Sequence, residues 1–104
     1  MVRERGKNGL FACPCCGYAT LSESSAWEIC KICFWEDDGQ DDPKANENWG
    51  GPNKVSLYEG RKNFLAYGAS DPKHMEHVRD INIDDERVRK YALKDETVVV
   101  LDAS

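Results

Sequence analysis

Residues 13–17 read Cys-Pro-Cys-Cys-Gly and residues 30–33 read Cys-Lys-Ile-Cys, so four thiols fall into two Cys-x-x-Cys pairs with thirteen residues between Cys16 and Cys30. That spacing is the signature of a zinc site: each pair lets a tight turn aim two thiolates at one point. Gly17 supplies the positive φ that such a turn adopts after its second ligand. Cys13, Cys16, Cys30 and Cys33 are therefore the candidate metal ligands. Four soft thiolates in a tetrahedral set suit zinc, with iron as the alternative ion. Such a site is coordinatively closed and leaves no position for a substrate.

The fifth cysteine, Cys15, stands inside the first pair. Cys-x-Cys makes a poorer turn than Cys-x-x-Cys, and the negative charge of a four-thiolate site favours a protonated neighbour, so Cys15 reads as a packed, inert thiol or as a donor to a ligand sulfur. An odd number of cysteines, with no apolar export segment in residues 1–10, points to reduced thiols and a cytoplasmic protein. No run is long and apolar enough to span a membrane.

Outward from the cysteines, Tyr18 to Leu21 and Ala26 to Ile29 are short and rich in β-formers, with the polar stretch Ser22–Ser25 between them. They are expected to pair as a hairpin that leaves the first cysteine pair and returns at the second. Residues 11–38 then form a zinc-ribbon or rubredoxin-like unit. Residues 39–55 carry Gly39, Pro43, Gly50, Gly51 and Pro52 and read as a polar loop, of a length that usually serves function or motion. Ser56-Leu-Tyr-Glu59 is a capping box that opens a helix over Leu57–Tyr67, stopped by Gly68. Asp71-Pro72 announces a second helix running toward Arg79. Asp84-Asp85-Glu86 announces a third, with Val88, Tyr91 and Ala92 as its apolar face. Thr97 to Leu101 is a β-branched run fit for a strand or a tail, and no internal repeat is visible. The expected fold is a single α+β domain over residues 1–104, a small four-cysteine hairpin packed against two or three short helices.

Charge shapes the functional reading. The chain carries −5 over 104 residues, which disfavours a general nucleic-acid binder, because phosphate affinity rests on Lys and Arg. A nucleic-acid-binding ribbon, using the basic island Arg87, Arg89 and Lys90, is the weakest of the readings. Glu36, Asp37, Asp38, Asp41 and Asp42 make an acidic centre behind the second cysteine pair; their spacing does not match a calcium loop, so a solvated face is expected rather than a second cation site. Arg61 falls in the middle of the apolar face of the first helix, where an unpaired guanidinium is costly, and is expected to pair bidentately with Asp37 or Asp38. Trp49, set among Asn48, Gly50 and Gly51, and the acidic Glu36, Asp41 and Asp42 are candidate contacts for a protein partner. His74 and His77 lie one turn apart and are expected to be plain surface histidines. With no catalytic triad, Cys–His pair or phosphate loop, the chain reads as a non-enzyme.

Three motifs in order, Cys13-Pro-Cys-Cys-Gly-Tyr-Ala-Thr-Leu21, Ile29-Cys-Lys-Ile-Cys-Phe-Trp-Glu-Asp-Asp38 and Gly51-Pro-Asn-Lys-Val-Ser-Leu57 with Arg61, Asn63 and Phe64, resemble the bacterial cysteine-rich CPCC family over roughly residues 11 to 70. The resemblance implies a small metal-binding domain and brings no enzymatic activity with it. The functional expectation is a zinc-binding interaction module. A small acidic protein of this kind also has the composition of a toxin-neutralising immunity protein, which blocks a basic partner by charge. A metal-dependent enzyme or a thiol redox protein is the alternative; a disulfide-exchange site would need a helix directly after the motif in a βαβ setting, and neither is visible.

Overall fold

The computed structural model describes residues 3–95 and 97–101; the expected tail at Ala103 and Ser104 lies outside the described residues. Two small antiparallel hairpins and one α-helix make an α+β fold around four adjacent cysteines. Strand β1 (Phe11–Ala12) pairs with β2 (Ala19–Leu21), helix α1 covers Leu57–Tyr67, and β3 (Lys90–Lys94) pairs with β4 (Thr97–Leu101). Two single 3-10 turns, Asp42–Lys44 and Pro72–His74, complete the regular structure among the described residues.

The first hairpin corrects the sequence expectation. β2 pairs with β1, with Phe11 opposite Leu21, and not with Ala26 to Ile29. Ile29 instead bridges Glu36. The reason is local: each Cys-x-x-Cys turn reverses the chain within five residues, so the nearest strand to each arm is the other arm of its own turn. Residues 22–26 form bends between the two units.

Helix α1 has the boundaries that its capping signals specify. The Ser56 hydroxyl accepts from the Glu59 N–H at 3.2 Å, and Gly68 closes the helix at φ 81° in the left-handed region that glycine tolerates. Leu57, Gly60, Arg61 and Phe64 are its buried face. Gly60 is favoured by packing: a Cβ there would lie 3.1 Å from the Trp35 ring and 3.3 Å from the Cys15 sulfur, closer than side chains ordinarily approach. The ~1 kcal/mol of helix propensity that glycine forgoes therefore lets Trp35, fully buried, lie against the helix.

The other two expected helices are absent among the described residues. Asp71 caps the 3-10 turn Pro72–His74, which ends within one turn. Lys90–Lys94 is a strand, because the β-branched run Thr97–Leu101 provides a full five-pair ladder from Lys94–Thr97 to Lys90–Leu101. A complete ladder outweighs the weak helical spacing of Val88, Tyr91 and Ala92. The core joins the cysteines to Leu21, Ile32, Trp35, Leu57 and Phe64.

Candidate metal centre

Each cysteine pair sits on a knuckle, and the two knuckles make the same backbone bonds. In the first, the Gly17 N–H donates to the Cys13 carbonyl at 2.8 Å and the Cys13 N–H to the Tyr18 carbonyl at 2.8 Å. In the second, Phe34 N–H donates to Cys30 at 2.8 Å and Cys30 N–H to Trp35 at 2.9 Å. Gly17 and Phe34, the residues after the second cysteine of each pair, have φ 84° and 68°. This is an internal repeat that the sequence hides, since only the cysteines recur.

Facing each other, the knuckles bring the sulfurs of Cys13, Cys16, Cys30 and Cys33 within 4.8 Å of one another, all four residues at 0% exposure. Cys13 and Cys33 are 3.6 Å apart and Cys16 and Cys30 3.7 Å. Four sulfurs about 2.3 Å from a central ion stand about 3.8 Å apart in a tetrahedron, so the cluster fits a four-thiolate metal site. Burial raises the thiols of Cys13, Cys16 and Cys33. At Cys30 burial acts the same way but is outweighed by hydrogen bonds from the Cys13, Cys16 and Cys33 thiols and the Thr20 hydroxyl, which hold it well below the usual thiol value. Thr20 Oγ1 donates to the Cys30 sulfur at 3.1 Å and the Ile32 N–H at 3.4 Å. Such donors orient a ligand and spread its charge. Cys15 is buried beneath α1, beside Gly60.

The acidic segment behaves differently from its expected roles. Arg61 is buried, but it pairs with Asp42 and not with Asp37 or Asp38. Its Nε donates to the Pro14 carbonyl at 2.8 Å and its guanidinium lies 4.4 Å over the Tyr91 ring. Burial pushes the Tyr91 hydroxyl up to about 12. Asp37, fully buried, instead receives two bonds from Arg3, each 3.1 Å, and one from the Ser25 N–H at 2.7 Å. Asp38 accepts only the Gln40 N–H, at 3.0 Å, among the described contacts. The reason is prior engagement: Arg3 and the Ser25 N–H already hold the Asp37 carboxylate, and Asp42 is the carboxylate that meets Arg61.

Asp41 and Asp42, expected to face a partner, are drawn into the same ion network. Arg3 Nε donates to Asp41 at 2.8 Å, and Arg89 joins Asp41 at 2.7 Å and Glu4 at 2.9 Å. Arg3, Arg61 and Arg89 are each no more than 7% exposed. The basic start and the basic island thus neutralise the acidic centre from within, a pairing over 34 to 48 residues of sequence separation that no local pattern announces. Burial works against the charge of Arg89 and Asp41 alike, yet hydrogen bonds outweigh it: those to Glu4 and Asp41 raise Arg89, and the one from Arg89 lowers Asp41. Among the described residues, the four-cysteine set is the cluster that meets metal-ligand spacing, and the acidic centre does not.

Glu36 is half-buried, with its backbone paired to the Asn53 side chain through bonds of 3.0 and 2.7 Å. Trp49 remains 44% exposed, its Nε1 held by Glu47 at 3.1 Å. It walls a cavity of about 340 Å³ with Arg3, Ser25, Asp41 and Lys44. Asn63, assigned no duty from sequence, donates to the Ser70 carbonyl at 2.9 Å, and the Ser70 N–H donates to Cys33 at 2.7 Å, which ties the end of α1 to the second knuckle. Gln40, fully buried, ties the polar loop together through the Lys44 and Glu47 carbonyls.

The family model for cysteine-rich CPCC proteins matches residues 11–85. No curated protein and no solved structure matches the chain. No helix among the described residues is long and apolar enough to cross a membrane.

Proposed function

The chain belongs to the cysteine-rich CPCC family, and on that premise we propose that it is a non-enzymatic module built on one structural zinc ion, which displays a surface for a protein partner. The observation that carries the metal reading is the complete burial of four sulfurs at tetrahedral spacing. A site enclosed on all sides by its own ligands supports folding and leaves no open position for a substrate, unlike a catalytic centre with three protein ligands. Zinc is preferred to iron because a closed structural site asks nothing of redox chemistry.

The partner reading rests on aromatics. Trp27 and Trp49 are 59% and 44% exposed, on loops pinned by specific hydrogen bonds. Ser25 and Trp27 hold φ 56° and 66°, a left-handed conformation costly for such residues, and strain of this kind gathers at functional loops. Charge complementarity to a basic partner, the basis of the immunity reading, has less to work with once Asp37, Asp41 and Asp42 pair internally. The same pairing withdraws Arg3, Arg61 and Arg89 from any phosphate backbone.

Elemental analysis of purified protein should give about one zinc per chain with no visible absorption; iron bound to four thiolates is coloured, and metal-free folded protein sinks the reading. For the partner, a cross-linking capture that is lost in Trp49→Ala at unchanged melting temperature is the expected outcome. A capture indifferent to Trp27 and Trp49 overturns that surface.

A further inference from the structure

The second knuckle carries a group of residues that the closed centre does not use. Phe34 occupies the left-handed position at φ 68° where its counterpart is Gly17, an arrangement that costs a non-glycine residue on the order of 1 kcal/mol. Its ring stacks on two imidazoles, His74 at 4.6 Å and His77 at 5.2 Å between centroids. The 3-10 turn at Pro72–His74 and the bond from the His77 N–H to the His74 carbonyl, 2.9 Å, put both rings on one side, with centroids 6.0 Å apart. A metal ion about 2.0–2.1 Å from one nitrogen of each ring stands about 3 Å from each ring centre, so two ligating rings fit within about 6 Å of each other. No described hydrogen bond engages a ring nitrogen of either histidine.

What lies beside His77 is a candidate metal ligand. A surface cavity of about 290 Å³ is lined by Ile29, Cys30, Lys31, Phe34, His77 and Arg79. Cys30 is itself fully buried, so the cavity ends on it without opening the metal position. Arg79 at the rim is neutralised by Asp85 through two bonds of 2.8 Å. Lys31 is the remaining cation there, set against the double negative charge of a zinc ion with four thiolates. Burial holds His74 below its ordinary value, which favours the neutral, ligating form.

We propose that His74 and His77 form a transient two-imidazole site for a divalent cation of the zinc class, through which the ion of the four-cysteine centre enters and leaves past Cys30. The inference rests on the metal reading above. With an ion bound, an imidazole nitrogen would take up the coordination position that the Cys30 thiolate gives up. No electron is transferred, and the thiolate is free to return or to accept a proton from water. Phe34 is a positioning residue: its left-handed backbone and its stacking hold His77 at the cavity and His74 beside it.

The test uses zinc-loaded protein and a His74→Phe/His77→Phe variant, which keeps aromatic packing on Phe34 and removes the nitrogens. Exchange of the bound zinc for added cadmium should slow about tenfold in the variant, with the equilibrium affinity unchanged, because a relay acts equally on entry and exit. Zinc-loaded wild type should also bind one Ni²⁺ beyond its resident ion, and the variant none. Exchange at the wild-type rate, or no additional Ni²⁺ on the wild type, overturns the relay while leaving the structural centre standing. Faster exchange with a lower melting temperature reassigns the histidines to packing. Purified protein with no ion on its cysteines overturns both readings, and metal content separates that case from the others.

Discussion

The two knuckles share one backbone trace and differ in the residue that closes it, Gly17 in the first and Phe34 in the second. The difference follows from what approaches each turn. At Gly17 a Cβ would sit 1.9 Å from the Arg89 carbonyl oxygen, because the chain entering β3 lies directly on the turn and sends the Val88 and Arg89 N–H groups to the Gly17 carbonyl at 2.8 and 3.1 Å. At Phe34 the turn faces the cavity and the histidines. The first knuckle is an anchor for the C-terminal hairpin, with no room for a side chain. The second carries a side chain at a conformational cost, and the ring has a use there.

The strongest way to break the comparison is to remove what the knuckles share. Stripping the metal with a chelator should abolish cooperative thermal unfolding, since the centre holds both turns and the core around them; circular dichroism before and after the metal is restored checks it. Exchanging the closing residues tests the asymmetry itself. Gly17→Ala should cost on the order of 4 kcal/mol, through a backbone clash combined with a strained φ, whereas Phe34→Gly should stay within about 1 kcal/mol of wild type, because relief of strain offsets the lost stacking. Denaturant titration of metal-loaded protein measures both, and equal costs would mean that the two turns carry equal loads.

This asymmetry also marks what the sequence can disclose. The cysteine spacing and the caps of α1 are local signals, and they place the four-cysteine cluster and the helix correctly. The pairing of each knuckle arm with its own partner was hidden because Tyr18 to Leu21 and Ala26 to Ile29 look equally strand-like, and what decides between partners is turn geometry. Strand β3 was misread as a helix because its partner β4 lies downstream and the ladder is a tertiary fact. The arginines were legible only in part: the apolar face of α1 demands that Arg61 be paired, but the choice of Asp42 over Asp37 depends on Arg3 occupying Asp37 from 34 residues away.

Arg3 sharpens the comparison because it joins the two turns. Its Nη1 donates to the Ala12 carbonyl, just before the first knuckle, and to Asp37, just after the second, both at 3.1 Å. Arg3→Met should cost about 3 kcal/mol, since it strands a carboxylate with no exposure to water. Arg61→Met should cost about 1–2 kcal/mol, because its partner Asp42 is 40% exposed and stays solvated. The Pro14 carbonyl also keeps the Tyr91 hydroxyl at 3.4 Å. Chemical denaturation of the two variants should preserve that order, and the reverse order would place the weight of the network on the first knuckle alone.

The smallest effect is the pH dependence of the anchor on the first knuckle. Arg89 hangs from Gly17 through its backbone and holds Glu4 and Asp41 through its guanidinium. The Glu4 carboxyl is lowered by its bonds to Arg89, against the opposing effect of burial. Asp41 is lowered although burial acts to raise it, because its bonds to Arg89 outweigh that effect. A carboxylate whose folded value lies below its unfolded one lends stability above the unfolded value and withdraws it as the pH falls through the folded one. The contribution should therefore be intact above the ordinary values of 4.5 for Glu4 and 3.8 for Asp41 and fade below them. Acid also protonates thiolates and releases metal, so the informative quantity is the difference between wild type and Glu4→Gln. That difference should be constant near neutrality and shrink below about pH 4.5, because the wild type then loses the charge that the variant never had. A difference that persists unchanged into acid would mean that Glu4 contributes through packing, and that Asp41 alone holds Arg89 against the turn.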